Sequence, residues 1–223
     1  MKNLRRFLSC LLAVTMLLAL GVTASAADFT DVPESSDYAE AVQWAADNGY
    51  INGYGDGRFG VNDNVTRAQL ATIFHRAAGT PAASGATRFT DAVASAYYIN
   101  ALSWAENAGL IAGYTDGRFG VNDPVTRQQV AVILWRWAGS PAASAEDYAD
   151  ESSISTYAQT AVDWSRSNGI MGARGDGRFA PNDSATRGEV VSALYNYMGK
   201  NSETVTPAGT GKILVAYYSA QGH

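Results

Sequence analysis

Apolar residues recur along this chain at helical spacing, in pairs of segments, and each pair returns about sixty residues later. Tyr38, Ala41, Val42 and Ala45 follow the i, i+3, i+4, i+7 rule, and Tyr98, Ala101, Leu102 and Ala105 repeat it, which predicts one amphipathic helix per copy. Asn48-Gly49, Ala108-Gly109 and Asn168-Gly169 supply the stop, since glycine adopts the left-handed cap at least steric cost. A second stripe follows in each copy: Leu70, Ile73, Phe74 and Ala77, then Val130, Ile133, Leu134 and Trp137, then Val190, Ala193, Leu194 and Tyr197. Thr66-Arg-Ala-Gln69, Thr126-Arg-Gln-Gln129 and Thr186-Arg-Gly-Glu189 precede these stripes as capping boxes.

Between the two helices of a copy lies a glycine-rich stretch. Gly53-Tyr-Gly-Asp-Gly-Arg-Phe59 returns as Gly113-Tyr-Thr-Asp-Gly-Arg-Phe119 and, altered, as Ala173-Arg-Gly-Asp-Gly-Arg-Phe179, which predicts a tight turn or small hairpin. Each copy opens on an aromatic-x-Asp triplet, Phe29-Thr-Asp31, Phe89-Thr-Asp91 and Tyr148-Ala-Asp150, the third displaced by a one-residue insertion before Trp164. Thr80-Pro-Ala-Ala-Ser84 and Ser140-Pro-Ala-Ala-Ser144 read as joints between copies. One helix pair buries its stripes poorly alone, so the three copies are expected to share a core as a mainly α, compact pseudo-trimer. The copies are placed at 28–87, 88–146 and 147–200, with a linker at 201–211.

Composition changes this picture at the ends. Lys2, Arg5 and Arg6 precede an apolar run from Phe7 to Leu20, and Ala24-Ser-Ala26 offers small residues for cleavage, so 1–26 reads as a signal peptide of an exported protein. The single cysteine, Cys10, falls inside that leader, which leaves the mature chain without disulfides or cysteine-bound metal. Three of the 16 basic residues and none of the 21 acidic ones lie in the leader, leaving 13 against 21. That acidic balance disfavours nucleic acid and anionic membrane as partners, and no later run approaches the ~20 apolar residues of a membrane span. Yet 11 of the 13 remaining bases are arginine, and six of these occupy two motif positions: Arg58, Arg118 and Arg178, and Arg67, Arg127 and Arg187.

Taken together, aromatic-x-Asp, Trp-Ala before the Asn-Gly cap, Gly-Tyr-x-Asp-Gly-x-Phe and Thr-Arg-x-Glu/Gln closely resemble the S-layer homology family, over residues 28–200. The resemblance implies a three-pronged spindle around a central helical bundle, and non-covalent anchoring of an exported protein at the cell wall. It implies as ligand a secondary cell-wall polysaccharide, often carrying pyruvate ketals, in grooves between modules, or modified peptidoglycan in some bacteria. Carried over residue by residue, the ligand-facing set is Arg67, Arg127 and Arg187, with Tyr54 and Tyr114 as sugar-stacking rings and Gln69, Gln129 and Glu189 at the third position of each box. Arginine suits a ketal carboxylate because its planar fork donates two parallel hydrogen bonds, and its place in a first helical turn adds a favourable dipole. The first two copies carry glutamine where the family prefers glutamate, and the third has lost Gly-Tyr. Grooves involving Arg67 with Tyr54 and Arg127 with Tyr114 are therefore expected to be complete, and that of Arg187 degenerate or altered in specificity.

Plainer readings stand beside these. The motif arginines can brace the fold through Asp63 and Asp123, and the Asp-Gly-Arg arginines can be solvated turn residues. Trp44, Trp104 and Trp164 read as core, and so does His75, whose counterparts are Trp135 and Tyr195. The Gly-Asp-Gly turns lack the alternating ligands and distal glutamate of a calcium loop. No catalytic residue and no metal or cofactor is expected for the residues present. Lys212 to Ser219 is a β-type run, and with Ser219-Ala-Gln-Gly222-His it resembles the opening of a flavodoxin-like domain. That resemblance implies flavin mononucleotide binding by Ser219 and Gly222, should the chain continue into such a domain.

Overall fold

The computed structural model describes residues 29–200; the leader, the linker and the flavodoxin-like segment lie outside them. Six α-helices appear in chain order: α1 Ala39–Asp47, α2 Arg67–Ala77, α3 Ile99–Asn107, α4 Arg127–Trp137, α5 Gln159–Ser167 and α6 Arg187–Leu194. The last runs into a π-helical turn, Tyr195–Gly199, so Tyr197 leaves the regular α stripe. Tyr38 and Tyr98 sit at the N-caps of α1 and α3 rather than inside them. A short 3₁₀ turn, Glu151–Ser153, takes up the one-residue insertion of the third copy. Gly49, Gly109 and Gly169 all hold positive φ behind the first helices. All three boxes cap their helices; in the second the Gln129 arm carries the cap, because the buried Thr126 hydroxyl oxygen lies outside hydrogen-bond geometry.

The packing crosses copy boundaries. α2 packs on α3, α4 on α5 and α6 on α1, so each prong pairs the second helix of one copy with the first helix of the next, cyclically. The closing prong is tied by the Tyr195 hydroxyl donating to Glu40 Oε1 at 2.5 Å and by Tyr195 packing on Trp44. At the centre, Val65 N–H donates to Ala185 O, Ala185 N–H to Val125 O and Val125 N–H to Val65 O, at 3.1, 2.8 and 2.9 Å. This closed ring of three backbone bonds, among fully buried residues, marks the pseudo-threefold axis. Leu70, Val130 and Val190 are sealed in the core, and Phe74, Trp137 and Tyr197 meet ring to ring at one end of the second helices. The tryptophans fall in this core as their sequence position implied: Trp164 is buried, and Trp104 packs between His75 and Trp137. His75 and Trp135 are flat rings with one task, meeting Pro81 O at 2.9 Å and Pro141 O at 2.7 Å; a carbonyl only accepts, so His75 Nε2 carries its proton.

The glycine-rich stretch is a turn and not a hairpin. Tyr54 N–H donates to Arg58 O and Gly57 N–H to Tyr54 O, and among the described residues only isolated bridges occur, no strand. What holds it is the aspartate of the opening triplet. Asp31 accepts the N–H groups of Phe59, Gly60 and Val61, and Asp91 those of Phe119, Gly120 and Val121, at 2.7–3.2 Å. In the third copy Asp150 receives only two, from Phe179 and Ala180, because Pro181 has no N–H to give.

Candidate functional site at the junctions between copies

Each motif arginine enters its helix at the first position and points across to the turn of the following copy. Arg67 donates from Nε to Phe119 O and from Nη2 to Ala112 O, at 2.7 and 2.9 Å. Arg127 does the same to Phe179 O and Gly172 O, and Arg187 closes the cycle on Phe59 O and Asn52 O. Each guanidinium also lies over the ring of the phenylalanine whose carbonyl it bonds, 4.3–4.9 Å from the centroid. The three residues are only 8%, 4% and 8% exposed.

Two inferences from sequence are corrected here. The fork is not free to clasp a carboxylate in parallel, because Nε and Nη2 are spent on carbonyls of the neighbouring copy. Nor is the helix start an open anion site: the Arg67 and Ala68 N–H groups donate to Asp123 O and Val121 O, and the other two helices repeat this. The bracing reading holds, but through backbone carbonyls rather than the carboxylates of Asp63 and Asp123.

The arginine–tyrosine pairing is also corrected. Across the first junction, between copies one and two, Arg67 lies 5.1 Å from the Tyr114 ring; across the closing junction, between copies three and one, Arg187 lies 4.9 Å from the Tyr54 ring. The partners belong to successive copies, so Arg67 does not share a groove with Tyr54, nor Arg127 with Tyr114. The altered groove is the middle one, where Arg127 meets Arg174 in the place of tyrosine.

Electrostatics separate the three. In the middle groove Arg127 Nη1 reaches Glu189 Oε1 at 2.5 Å, Arg174 Nη2 reaches the same oxygen at 3.1 Å, and Arg174 Nη1 reaches Asp183 Oδ2 at 2.5 Å. Two cations face two carboxylates. Burial works to lower the Arg174 guanidinium, yet Glu189 and Asp183 outweigh it and hold it above its usual range. In the other grooves the position of Glu189 is held by the uncharged Gln129 and Gln69, whose Oε1 atoms cap Thr126 N–H and Thr66 N–H. Arg67 and Arg187 make no ion pair and leave Nη1 without a hydrogen bond among the described residues. Burial pulls both below the usual arginine range, without discharging them.

Tyr54 and Tyr114 line these grooves at 42% and 40% exposure; the Tyr114 hydroxyl donates to Asp123 Oδ2 at 3.0 Å, and Asp63 stands beside Tyr54 in the same way. Burial raises both phenols, with the aspartates adding to it. Arg58 and Arg118 pair with Asp56 and Asp116 inside their own turns and hang over the same rings at 5.6 and 5.7 Å. A glycine makes room for each tyrosine: Gly60 and Gly120 have φ of +76° and +79°, and a Cβ on either would run into the ring and into Asp63 or Asp123. Where Arg174 replaces the tyrosine, Ala180 occupies the equivalent position at φ +55°.

The fold and junctions thus define a cyclic three-module helical protein with an arginine-centred groove at each junction. The S-layer homology domain model matches residues 28–71, 88–131 and 147–191, over half of the chain, and the chain belongs to that family, whose modules anchor exported proteins at the cell surface rather than catalyse. It is similar to the surface-layer 125 kDa protein of Lysinibacillus sphaericus, 31% identical over 193 residues, covering 83% of this chain and 16% of that protein. It is similar to an endoglucanase of Bacillus sp. (strain KSM-635), 28% identical over 99% of this chain and 26% of the enzyme, and to a cell surface protein of Thermoanaerobacter kivui, 30% identical over 62% and 19%. The chain spans about a quarter or less of the length of these relatives. No helix among the described residues is long and apolar enough to cross a membrane.

Proposed function

We propose that residues 29–200 fix an exported chain to the cell wall by binding an acidic secondary wall polysaccharide in two of the three grooves, the first and the closing one. The observation that carries this reading is the contrast between arginines. Arg127 has a carboxylate of the fold in direct contact, whereas Arg67 and Arg187 hold a desolvated positive charge with none in ion-pair contact, Asp123 and Asp63 acting on them only from further off. A buried cation without a contacting counter-ion is unfavourable, and a ligand carboxylate, such as a pyruvate ketal, relieves it at Nη1. One donor then contacts the ligand, with an exposed tyrosine beside it for the sugar ring. Gln69 and Gln129 cap their helices and, by being neutral, leave the arginine unclaimed; Glu189 claims its own. Surface-layer and cell-surface relatives support the anchoring part of the proposal.

Sedimentation of the full mature chain with purified walls tests it. Tyr54→Ala with Tyr114→Ala is expected to weaken sedimentation sharply while its thermal unfolding stays close to that of the parent. Undiminished sedimentation of that folded variant would exclude these grooves. Sedimentation with bare peptidoglycan, stripped of acidic polysaccharide, would assign the other ligand class. The flavin expectation at Ser219 and Gly222 stands apart as a proposal about residues outside the described ones.

A further inference from the structure

Away from the grooves, the joint between the first two copies forms a cleft of a different kind. Between α2 and α3 lies a cavity of about 520 Å³ bordered by His75, Arg76, Thr80, Tyr97 and Asn100, within the roughly 300–1,000 Å³ usual for small-ligand sites. Tyr97 is 67% exposed, its ring held edge-on against Tyr98 at 5.2 Å. Arg76 lies close enough for its charge to act on the Tyr97 phenol. The Asn100 amide makes no hydrogen bond among the described residues. The base of the cleft is fixed: His75 is clamped between Trp104 and Pro81 O, and Thr80 sits at φ +53°, a left-handed conformation rare outside glycine.

The second joint repeats the constellation. Tyr157 is 56% exposed and feels the charges of Arg67 and Arg136, Trp135 is tied to Pro141 O, and Ser140 sits at φ +57°. At the third joint the two positions are Asp37 and Asn196. That substitution shows what the fold itself asks for. Arg76 Nη1 donates to Tyr50 O at 3.5 Å, Arg136 Nη1 to Leu110 O at 3.2 Å and Asn196 Nδ2 to Ile170 O at 3.0 Å. Asn196, in the π-helical turn, makes this tether without a charge, so the third joint closes with neither the guanidinium nor the exposed tyrosine of the other two.

We propose that the cleft at Arg76/Tyr97 and the matching Arg136/Tyr157 pair are sugar-binding subsites, each stacking a pyranose ring on its tyrosine and offering its arginine to an acidic substituent. They rest on the groove reading only in taking the ligand to be an acidic wall glycan, and they add contacts along the same polymer beyond the groove residues, the second of them within range of the Arg67 charge.

The test uses the full mature chain and charged polysaccharide fragments released from walls to which it sediments, with affinity read by calorimetry. Arg76→Asn with Arg136→Asn copies the residue of the third joint, and unchanged thermal unfolding is required to show that the fold is preserved. The expected result is affinity lower by roughly tenfold or more, since a lost contact of about 1.4 kcal/mol has that effect and loss of multivalency adds to it. Tyr97→Ala with Tyr157→Ala should match it, and carboxyl-reduced fragments should no longer distinguish the arginine variant from the parent. In a chain already carrying Tyr54→Ala and Tyr114→Ala, residual binding should persist and disappear when the Arg76 and Arg136 changes are added. Parental affinity in the Arg76→Asn, Arg136→Asn chain overturns the subsites, whatever the grooves do. Parental affinity in the Tyr54→Ala, Tyr114→Ala chain, with loss in the arginine chain, overturns the grooves and leaves the subsites standing.

Discussion

Arg127 and Glu189 meet across the boundary between the second and third copies, Nη1 to Oε1 at 2.5 Å, with both side chains nearly excluded from solvent. Glu189 simultaneously caps its own helix, its Oε2 accepting the Thr186 N–H at 3.0 Å. One carboxylate thus closes a helix, a junction and a groove. Glu189→Gln keeps the cap, as Gln69 and Gln129 show, but leaves Arg127 and Arg174 facing each other with less compensation. The expected result is a loss of about 3 kcal/mol in urea unfolding, on the scale of breaking a buried ion pair. An unchanged unfolding midpoint would mean that the pair contributes nothing net.

Arg67→Ala tests the bracing role. It strips Phe119 O and Ala112 O of their donor, and unpaired buried carbonyls cost about 1–3 kcal/mol each, so a loss of roughly 2–6 kcal/mol is expected. Arg67→Lys should recover little, because a single ammonium on a flexible stem cannot replace a planar fork spanning both carbonyls. Full recovery of the unfolding midpoint by lysine would refute the two-carbonyl account.

Gly60→Ala should damage the closing groove out of proportion to its size. The new methyl would collide with Tyr54 and Asp63 at a φ that disfavours side chains. The expected outcome is weaker wall binding together with a stability loss of about 1–3 kcal/mol. A chain carrying Tyr54→Ala as well should tolerate the methyl better, as Ala180 is tolerated beside Arg174. Equal losses in the two backgrounds would show that the ring is not what the glycine accommodates.

Acid sensitivity should trace to the opening triplets. Burial pushes the Asp31 and Asp91 carboxyls upward, but the three N–H groups each accepts outweigh it and hold both below the ordinary carboxylate value. A depressed folded value stabilises the protein above the unfolded value, near pH 4, and the contribution is lost as pH falls through the lower folded one. Asp31→Asn with Asp91→Asn should lower stability at pH 7 and flatten the fall in unfolding midpoint between pH 4 and pH 2. A fall as steep as in the parent would place the acid-sensitive groups elsewhere.

Much of this architecture is legible in the sequence because it is local. The stripes behind Thr66, Thr126 and Thr186, the Asn-Gly stops and the capping boxes each depend on residues within one or two turns of one another, and repetition confirms them. The junctions are not local. Nothing in the spacing of Arg67 and Tyr54 reveals that a cyclic fold offers Arg67 the ring of the next copy, Tyr114, and returns Tyr54 to Arg187 from 133 residues away. The same cyclic offset moves the altered groove from Arg187 to Arg127. The opening aspartates were visible as a signature, but their task depends on three N–H groups some 28–30 residues further on. Tyr97 and Tyr157 escape a reading of the sequence, where they are only aromatics at a position that is Asp37 in the first copy; their exposure beside Arg76 and Arg136 sets them apart from core rings.

The most direct measurement of the central claim follows the side-chain Nε–Hε resonances of the arginines by NMR while the full mature chain is titrated with acidic wall polysaccharide fragments. The Arg67 and Arg187 signals are expected to shift together with saturating ligand while Arg127 stays in place, held by Glu189. Shifts at Arg127 equal to those at Arg67 and Arg187, or movement at none of the three while the chain is demonstrably bound, would contradict it.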